Sequence, residues 1–303
     1  MLTRFLGDGG PEVSVVGLGT NNFGWRLDYE QSLSVIDAAL EAGVTLLDTA
    51  DIYGQGESEE FIGRALEGRR DRVLVATKFG KPMNQRPDER RGNSDYIGWA
   101  VERSLRRLRT DVIDVYQMHE PDPSTPIEET LGALNDLVHD GKVRWIGSSN
   151  FPAEQIEAAE EVARGAGFHR FVSAQNEYSL ARREAEDGIL PLCERLGIGF
   201  LPYFPLASGL LTGKYRRGEE ATEGRLAGRR IEDEQWDRVE ALQRFADERG
   251  ISLLEAAVGG LLAMPAVTSV IAGATTPEQV RANVAAGAWE PSAPDVEELR
   301  TLR

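Results

Sequence analysis

Eight times along this chain a short, continuously apolar run is followed by a segment with helical spacing. That alternation constrains the fold more than any other feature. The apolar runs lie at 15–20, 44–47, 73–77, 112–118, 143–147, 171–174, 198–201 and 267–271. The helical segments lie at 30–42, 57–67, 95–109, 126–139, 153–164, 185–196, 234–249 with 252–263, and 277–285, and a last helix is expected at 293–301. Apolar strands alternating with helices imply a parallel sheet covered on its outside. Eight such units in about 270 residues suit a closed barrel better than an open doubly wound sheet. The open alternative needs a Gly-x-Gly-x-x-Gly turn, and Gly17-Leu18-Gly19-Thr20-Asn21-Asn22 starts that way but has Asn22 at the third glycine. The expected fold is therefore α/β, a (β/α)8 TIM barrel spanning 1–303 as a single domain. A β-hairpin at 2–15 turns around Gly9-Gly10-Pro11, a long polar loop occupies 207–233 after the seventh strand, and extra helices follow strands seven and eight.

A barrel of this kind carries its reactive residues at the C-terminal ends of its strands and in the loops that follow. In chain order those positions hold Thr20 and Asn21, Asp48 and Tyr53, Lys78, His119, Ser149 and Asn150, Gln175, Tyr203 with the run from Pro205 to Lys214, and Gly273 to Thr276. Each has an ordinary reading when taken alone. Asp48 after a strand can cap the next helix, Tyr53 between strand and glycines can simply pack, Lys78 can snorkel from the barrel mouth, and Ser149-Asn150 can open a helix. The barrel, however, brings all these ends to one axis. Asp, Tyr, Lys and His converging on one mouth are what mark it as a reaction site.

The charge balance narrows the partners. With 34 basic against 50 acidic residues the net charge is −16, which disfavours nucleic acid and anionic membrane surfaces and leaves a small molecule, whose pocket can still be locally positive. Cys193 is the only cysteine, so no internal disulfide forms and no Cys-based metal site exists. His119, His139 and His169 are the only histidines, and no zinc helix, nucleophile elbow or P-loop occurs. No metal is expected. The start of the chain has no long apolar run, and no stretch reaches the ~18 residues of a membrane span. A soluble, cytoplasmic protein is the expectation; its oligomeric state is left open, with a monomer slightly favoured.

Five motifs in order resemble the aldo-keto reductase family from end to end. They are Asp48-Thr49-Ala50-Asp51-Ile52-Tyr53-Gly54, Val75-Ala76-Thr77-Lys78, Asp114-Val115-Tyr116-Gln117-Met118-His119, Gly141 to Phe151, and Gly209-Leu210-Leu211-Thr212-Gly213-Lys214-Tyr215. The N-terminal hairpin, a plug for the far end of the barrel in that family, and the Ile271-to-Asn283 segment fit as well. The resemblance implies a barrel that binds a nicotinamide cofactor without a Rossmann domain, and reduction of an aldehyde or ketone. It makes Tyr53 the general acid and Asp48, Lys78 and His119 its companions. A free phenol near 10 is a weak donor at neutral pH, and Lys78 against its oxygen is expected to lower that value.

On the cofactor side the resemblance implies Gly19, Thr20, Asn21, Asp48, Ser149, Asn150, Gln175 and Tyr203 around the nicotinamide. Pro205, Leu206, Ser208, Gly209, Leu210 and Lys214 would meet the pyrophosphate, Arg225 is a weaker phosphate candidate, and Gly273, Thr275, Gln279 and Asn283 would lie at the adenosine end. Many members carry a cation after the last strand for the 2′-phosphate of NADP; here Gly273, Ala274, Thr275 and Gln279 are uncharged, and Ala282 stands where an acid usually precedes the adenine-site asparagine. NADP (NADPH) is the expected cofactor, with Thr275 and Gln279 as neutral phosphate partners, and NAD stays open. Trp25, Ile52, Phe79 and Glu120 are expected to rim the substrate pocket, Trp25 and Phe79 as an aromatic wall, with help from the 82–93 and 215–233 loops. A nucleotide-sensing regulatory subunit and an unrelated barrel lyase or isomerase are the alternatives.

Overall fold

The computed structural model describes residues 1–84, 86, 90–219 and 224–302. Parts of the loops expected at 82–93 and 207–233 thus lie outside the described residues. A hairpin of β1 (Thr3–Phe5) and β2 (Glu12–Ser14) comes first, followed by β3 (Val16–Gly19), α1 (Tyr29–Glu41), β4 (Leu46–Asp48), α2 (Glu57–Ala65), β5 (Leu74–Phe79) and α3 (Ser94–Leu108). The order continues with β6 (Ile113–Met118), α4 (Ile127–His139), β7 (Val143–Ser149), α5 (Ala153–Ala166), β8 (Phe171–Gln175) and α6 (Ile189–Leu196). It ends with β9 (Gly199–Phe200), α7 (Asp233–Arg249), α8 (Leu253–Leu262), β10 (Val270–Gly273), α9 (Pro277–Ala286) and α10 (Ala293–Thr301).

Strands β3 to β10 are the eight units read from the sequence, paired in parallel in the order β10-β3-β4-β5-β6-β7-β8-β9. The ring closes where Phe200 bridges Val267, with Phe200 N–H donating to Ala266 O at 2.8 Å and Thr268 N–H to Phe200 O at 3.0 Å. The last strand was expected at 267–271 and lies at Val270–Gly273. Its first apolar residues are spent on this closing contact, so regular pairing with β3 begins later. The helix expected at 185–196 is also split: a 3-10 turn over Glu184–Asp187 precedes α6, and Gly188 breaks the run.

Two layers of apolar side chains explain the strands. Leu47, Val75 and Tyr116 face the helices in the main core, while Leu46, Ala76, Val115, Leu201 and Ile271 form a second cluster inside the ring with Leu6 and Val13 of the hairpin. The hairpin is pinned across the N-terminal ends of the strands, Asp8 N–H donating to Gly197 O at 2.7 Å and Thr45 N–H to Ser14 Oγ at 3.0 Å. That end is plugged, so the opposite mouth is the open one. Because side chains alternate along a strand, two residues past each interior apolar position comes another inward one. Those positions hold Asp48, Lys78, Gln117, Tyr203 and Gly273.

Candidate active site

Lys78 is the hub of the mouth. Its side chain comes from the inward face of β5, and its Nζ donates to Asp48 Oδ1, Asp48 Oδ2 and Thr49 O, each at 2.8 Å. The Tyr53 ring lies beside it, its centroid 5.4 Å from the ammonium. Burial alone would pull the lysine down, but Asp48 and Tyr53 outweigh it and hold the ammonium above its ordinary 10.5. Gln175 adds a second donor to Asp48, Nε2 to Oδ1 at 2.8 Å.

Tyr53 opens a short 3-10 turn, Tyr53–Gly56, after the loop that leaves β4. Gly54 there has φ +56, and a Cβ on it would stand 3.0 Å from Gly24 Cα, so the two loops touch backbone to backbone. Ser58 ties them further, its Oγ 3.0 Å from Thr20 Oγ1 and 2.9 Å from Thr49 Oγ1. Burial pushes the Tyr53 phenol above its ordinary 10.0; Lys78 pulls the other way, and Asp48 adds to the rise. Lys78 thus acts in the expected direction, but the net position is above the ordinary value because burial outweighs a cation whose charge Asp48 already balances.

His119, just past β6, meets Tyr53 edge to face at 6.0 Å between ring centroids. Burial holds its imidazole well below 6.5, and Lys78 and then Lys81 add to the effect, so it is neutral near pH 7. Asn150, at φ +58, ties the far side together. Its Nδ2 donates to His119 O at 2.9 Å and to Ser149 Oγ at 3.1 Å, and its Oδ1 accepts from the Tyr203 hydroxyl at 2.7 Å.

These groups border a cavity of about 640 Å³. Among the predicted residues, Gly19, Thr20, Asn21, Asp48, Tyr53, His119, Ser149, Asn150, Gln175, Tyr203, Pro205, Leu206, Ser208, Gly209, Lys214, Arg225, Gly273, Thr275, Gln279 and Asn283 line it. Lys78 sits beneath that surface, fully buried, and Leu210 is buried in the core. The four residues expected to rim a substrate pocket are not part of this lining. Phe79 is buried and stacked on Tyr116 at 4.8 Å, and Trp25 is 62 % exposed with its Nε1 donating to Asn21 O. Glu120 pairs with Lys81, and Ile52 precedes the Tyr53 turn; none of the four is in the lining. The aromatic side chains in the lining are Tyr53, Tyr203 and Phe204. The reading from sequence missed Asn22, Arg26, Lys81, Phe204 and Leu254. Lys81 and Phe204 follow named strand ends by one to three positions, so carrying each loop slightly further would have included them.

The donor set suits a dinucleotide. Amide and hydroxyl groups of Ser149, Asn150 and Gln175 line it near Asp48 and Tyr203, and Lys214 and Arg225 add cations to the lining. Arg225 Nη2 donates to Asn21 Oδ1 at 2.5 Å and Asn22 Oδ1 at 3.0 Å. A Cβ on Gly209 would stand 3.7 Å from Lys214 Nζ and one on Gly224 3.4 Å, so both glycines leave room beside the cation. After β10, Gln279 Oε1 accepts from Thr275 N–H at 2.8 Å, and Asn283 is buried. Among the described residues, no three His, Cys, Asp or Glu side chains are placed to share a metal ion, and no helix is long and apolar enough to cross a membrane.

A closed eight-stranded barrel with a polar, cationic cavity at its C-terminal mouth defines a (β/α)8-barrel enzyme. Residues 15–303 match the model of the aldo/keto reductase family, and the chain belongs to that family, whose members are oxidoreductases working with nicotinamide cofactors on small carbonyl compounds. It is 37% identical over 313 residues to the aldo-keto reductase YhdN of Bacillus subtilis, covering 98% of this chain and 92% of that protein. It is 35% identical over 301 residues to a probable voltage-gated potassium channel subunit beta of Arabidopsis thaliana, covering 94% and 91%. A solved aldo-keto reductase from Bacillus halodurans, in its holo form, superposes with a TM-score of 0.82 at 31% identity, covering 100% of this chain and 96% of that one.

Proposed function

We propose that this chain reduces an aldehyde or ketone with NADPH and that Tyr53 donates the proton. The observation that carries the reading is the placement of Lys78, buried, held by Asp48 and 5.4 Å from the centre of the Tyr53 ring at the edge of the cavity. When bound, the nicotinamide supplies the hydride that adds to the carbonyl carbon. The charge then gathering on the carbonyl oxygen has to be met by a proton. Tyr53 is protonated at neutral pH and lines the cavity, with the Lys78 ammonium close to its ring. As that proton leaves, the phenolate forms against the ammonium, and their attraction offsets the cost of a buried anion. Asp48 keeps Lys78 charged throughout. His119, being neutral, offers an N–H to the carbonyl oxygen and orients it; its depressed basicity is why the proton transfer falls to Tyr53.

On this reading Ser149, Asn150 and Gln175 hold the carboxamide and Tyr203 the ring, while Lys214 and Arg225 take the pyrophosphate. Thr275, Gln279 and Asn283 take the adenosine end, where the two neutral side chains meet a 2′-phosphate. The test is NADPH oxidation with a panel of small aldehydes and ketones, beside fluorescence titration with NADPH and NADH. Turnover with tighter NADPH binding is the expected result; equal or tighter NADH binding overturns the cofactor preference alone.

A second reading, a nucleotide-sensing regulatory subunit with little turnover, is favoured by the likeness to the Arabidopsis channel subunit. It predicts tight cofactor binding with negligible oxidation across the same panel.

A further inference from the structure

The cavity is more cationic than the chain around it. Its lining carries Arg26, Lys81, Lys214 and Arg225 and, among the described residues, a single carboxylate, Asp48, already engaged by Lys78. The whole chain has a net charge of −16. A cleft of one sign against a background of the other draws counter-charged ligands.

Three of these cations belong together. Lys214 and Arg225 stand where the pyrophosphate of the proposed cofactor would lie, and Arg26 is near enough to Arg225 to help burial pull its guanidinium down. Lys81 stands apart. It follows β5, between β4, which leads to Tyr53, and β6, which leads to His119. The cofactor candidates, Asp48 aside, come from the other arc of the barrel, β7 through β10 and β3. Lys81 is also close enough to His119 to help keep the imidazole neutral.

Its present partner holds it weakly. Nζ is 3.4 Å from Glu120 Oε2, with 36% of the lysine side chain and 32% of the glutamate exposed. A strong charge-assisted hydrogen bond is shorter. Glu120 is shared with Arg91 at 3.6 Å, and Arg91 is itself fixed by Nε donating to Gly80 O at 2.7 Å. Among the described residues, two cations on this one carboxylate leave a positive surplus. Exposed pairs of this kind contribute little, so Lys81 can turn to an incoming anion at small cost.

The geometry points to a carbonyl substrate that also carries an anionic group, a carboxylate or a phosphate, with Lys81 Nζ as the partner of that group. This rests on the reductase reading above and adds the substrate class to it.

Matched pairs test it: succinic semialdehyde against butanal for the carboxylate, and glyceraldehyde phosphate against glyceraldehyde for the phosphate. The wild type is expected to favour the charged member of at least one pair in kcat/KM by roughly tenfold or more, mostly through KM. Which pair shows the preference tells carboxylate from phosphate. Lys81→Met is expected to erase the preference and Lys81→Arg to keep much of it. The ratio of NADPH to NADH dissociation constants, from fluorescence, is expected to stay as in the wild type. A selective loss of NADPH affinity in Lys81→Met would assign the lysine to the cofactor and overturn the proposal. Turnover of both members of each pair without preference overturns the substrate class and leaves the reductase reading standing. Failure to oxidise NADPH with any carbonyl compound overturns both.

Discussion

Lys78 donates to both carboxylate oxygens of Asp48 at 2.8 Å, and neither side chain is more than 4% exposed. A pair so deeply placed repays its desolvation only while both members are present. Asp48→Ala strands an ammonium at the barrel mouth and is expected to lower the unfolding free energy by roughly 3–5 kcal/mol. Asp48→Ala combined with Lys78→Met removes the stranded charge and is expected to recover part of that loss. Urea unfolding of both single variants and the double variant measures the coupling; strictly additive losses would show that the two side chains do not support each other.

Tyr53→Phe deletes the proton while keeping the ring. Turnover is expected to fall about a hundredfold to ten-thousandfold, the range of a lost general acid. The NADPH dissociation constant is expected to stay near that of the wild type. Fluorescence titration beside steady-state rates checks both. Unchanged turnover removes Tyr53 from the donor role, and lost cofactor binding with a lowered Tm marks a folding defect instead.

Much of this arrangement is legible in the sequence, and the reason lies in the two-residue period of strands. Once Leu46, Ala76 and Val115 are read as strand interiors, Asp48, Lys78 and the Gln117–His119 positions follow in phase. Loops have no such period, and there the reading weakened. Phe79 continues the apolar run of β5, yet as the next residue after Lys78 it points outward to Tyr116 rather than into the mouth. Trp25 is 62 % exposed beside the cavity-lining Asn21, whose carbonyl its Nε1 bonds, and is not itself in the lining. The direction of the Tyr53 shift depended on the balance between burial and a cation already paired with Asp48, a sum that spacing alone does not contain.

The neutral state of His119 has a consequence for stability. Burial first, then Lys78 and Lys81, hold the folded imidazole well below 6.5. Between those values the unfolded chain binds a proton that the folded chain does not, so stability rises with pH across that window and falls as pH drops below 6.5. His119→Gln is expected to lose this component and to show a shallower decline toward acid. Unfolding midpoints in urea across a pH series compare the two. Identical slopes would mean that folding leaves the His119 imidazole at its ordinary value, and its depressed basicity could no longer be the reason for giving the proton transfer to Tyr53.

Gly147 of β7 is fixed by what surrounds it. A Cβ there would collide with Ser173 Oγ and stand 3.0 Å from Ser173 O and 3.2 Å from Gln117 Cγ. The pairing of β7 with β8 already shifts register between Ile146 and Gly147, so the backbone has little slack to move away. Gly147→Ala is therefore expected to destabilise the fold by about 1–3 kcal/mol, the usual cost of overpacking. Because Ser149 lies two residues on and lines the cavity, cofactor affinity is expected to weaken as well. Adding Ser173→Ala removes the collision with Oγ but not the approach to the carbonyl oxygen, so it is expected to restore only part of the stability. Thermal unfolding of the single and double variants checks the order; a neutral Gly147→Ala would mean that the barrel interior has room at this point.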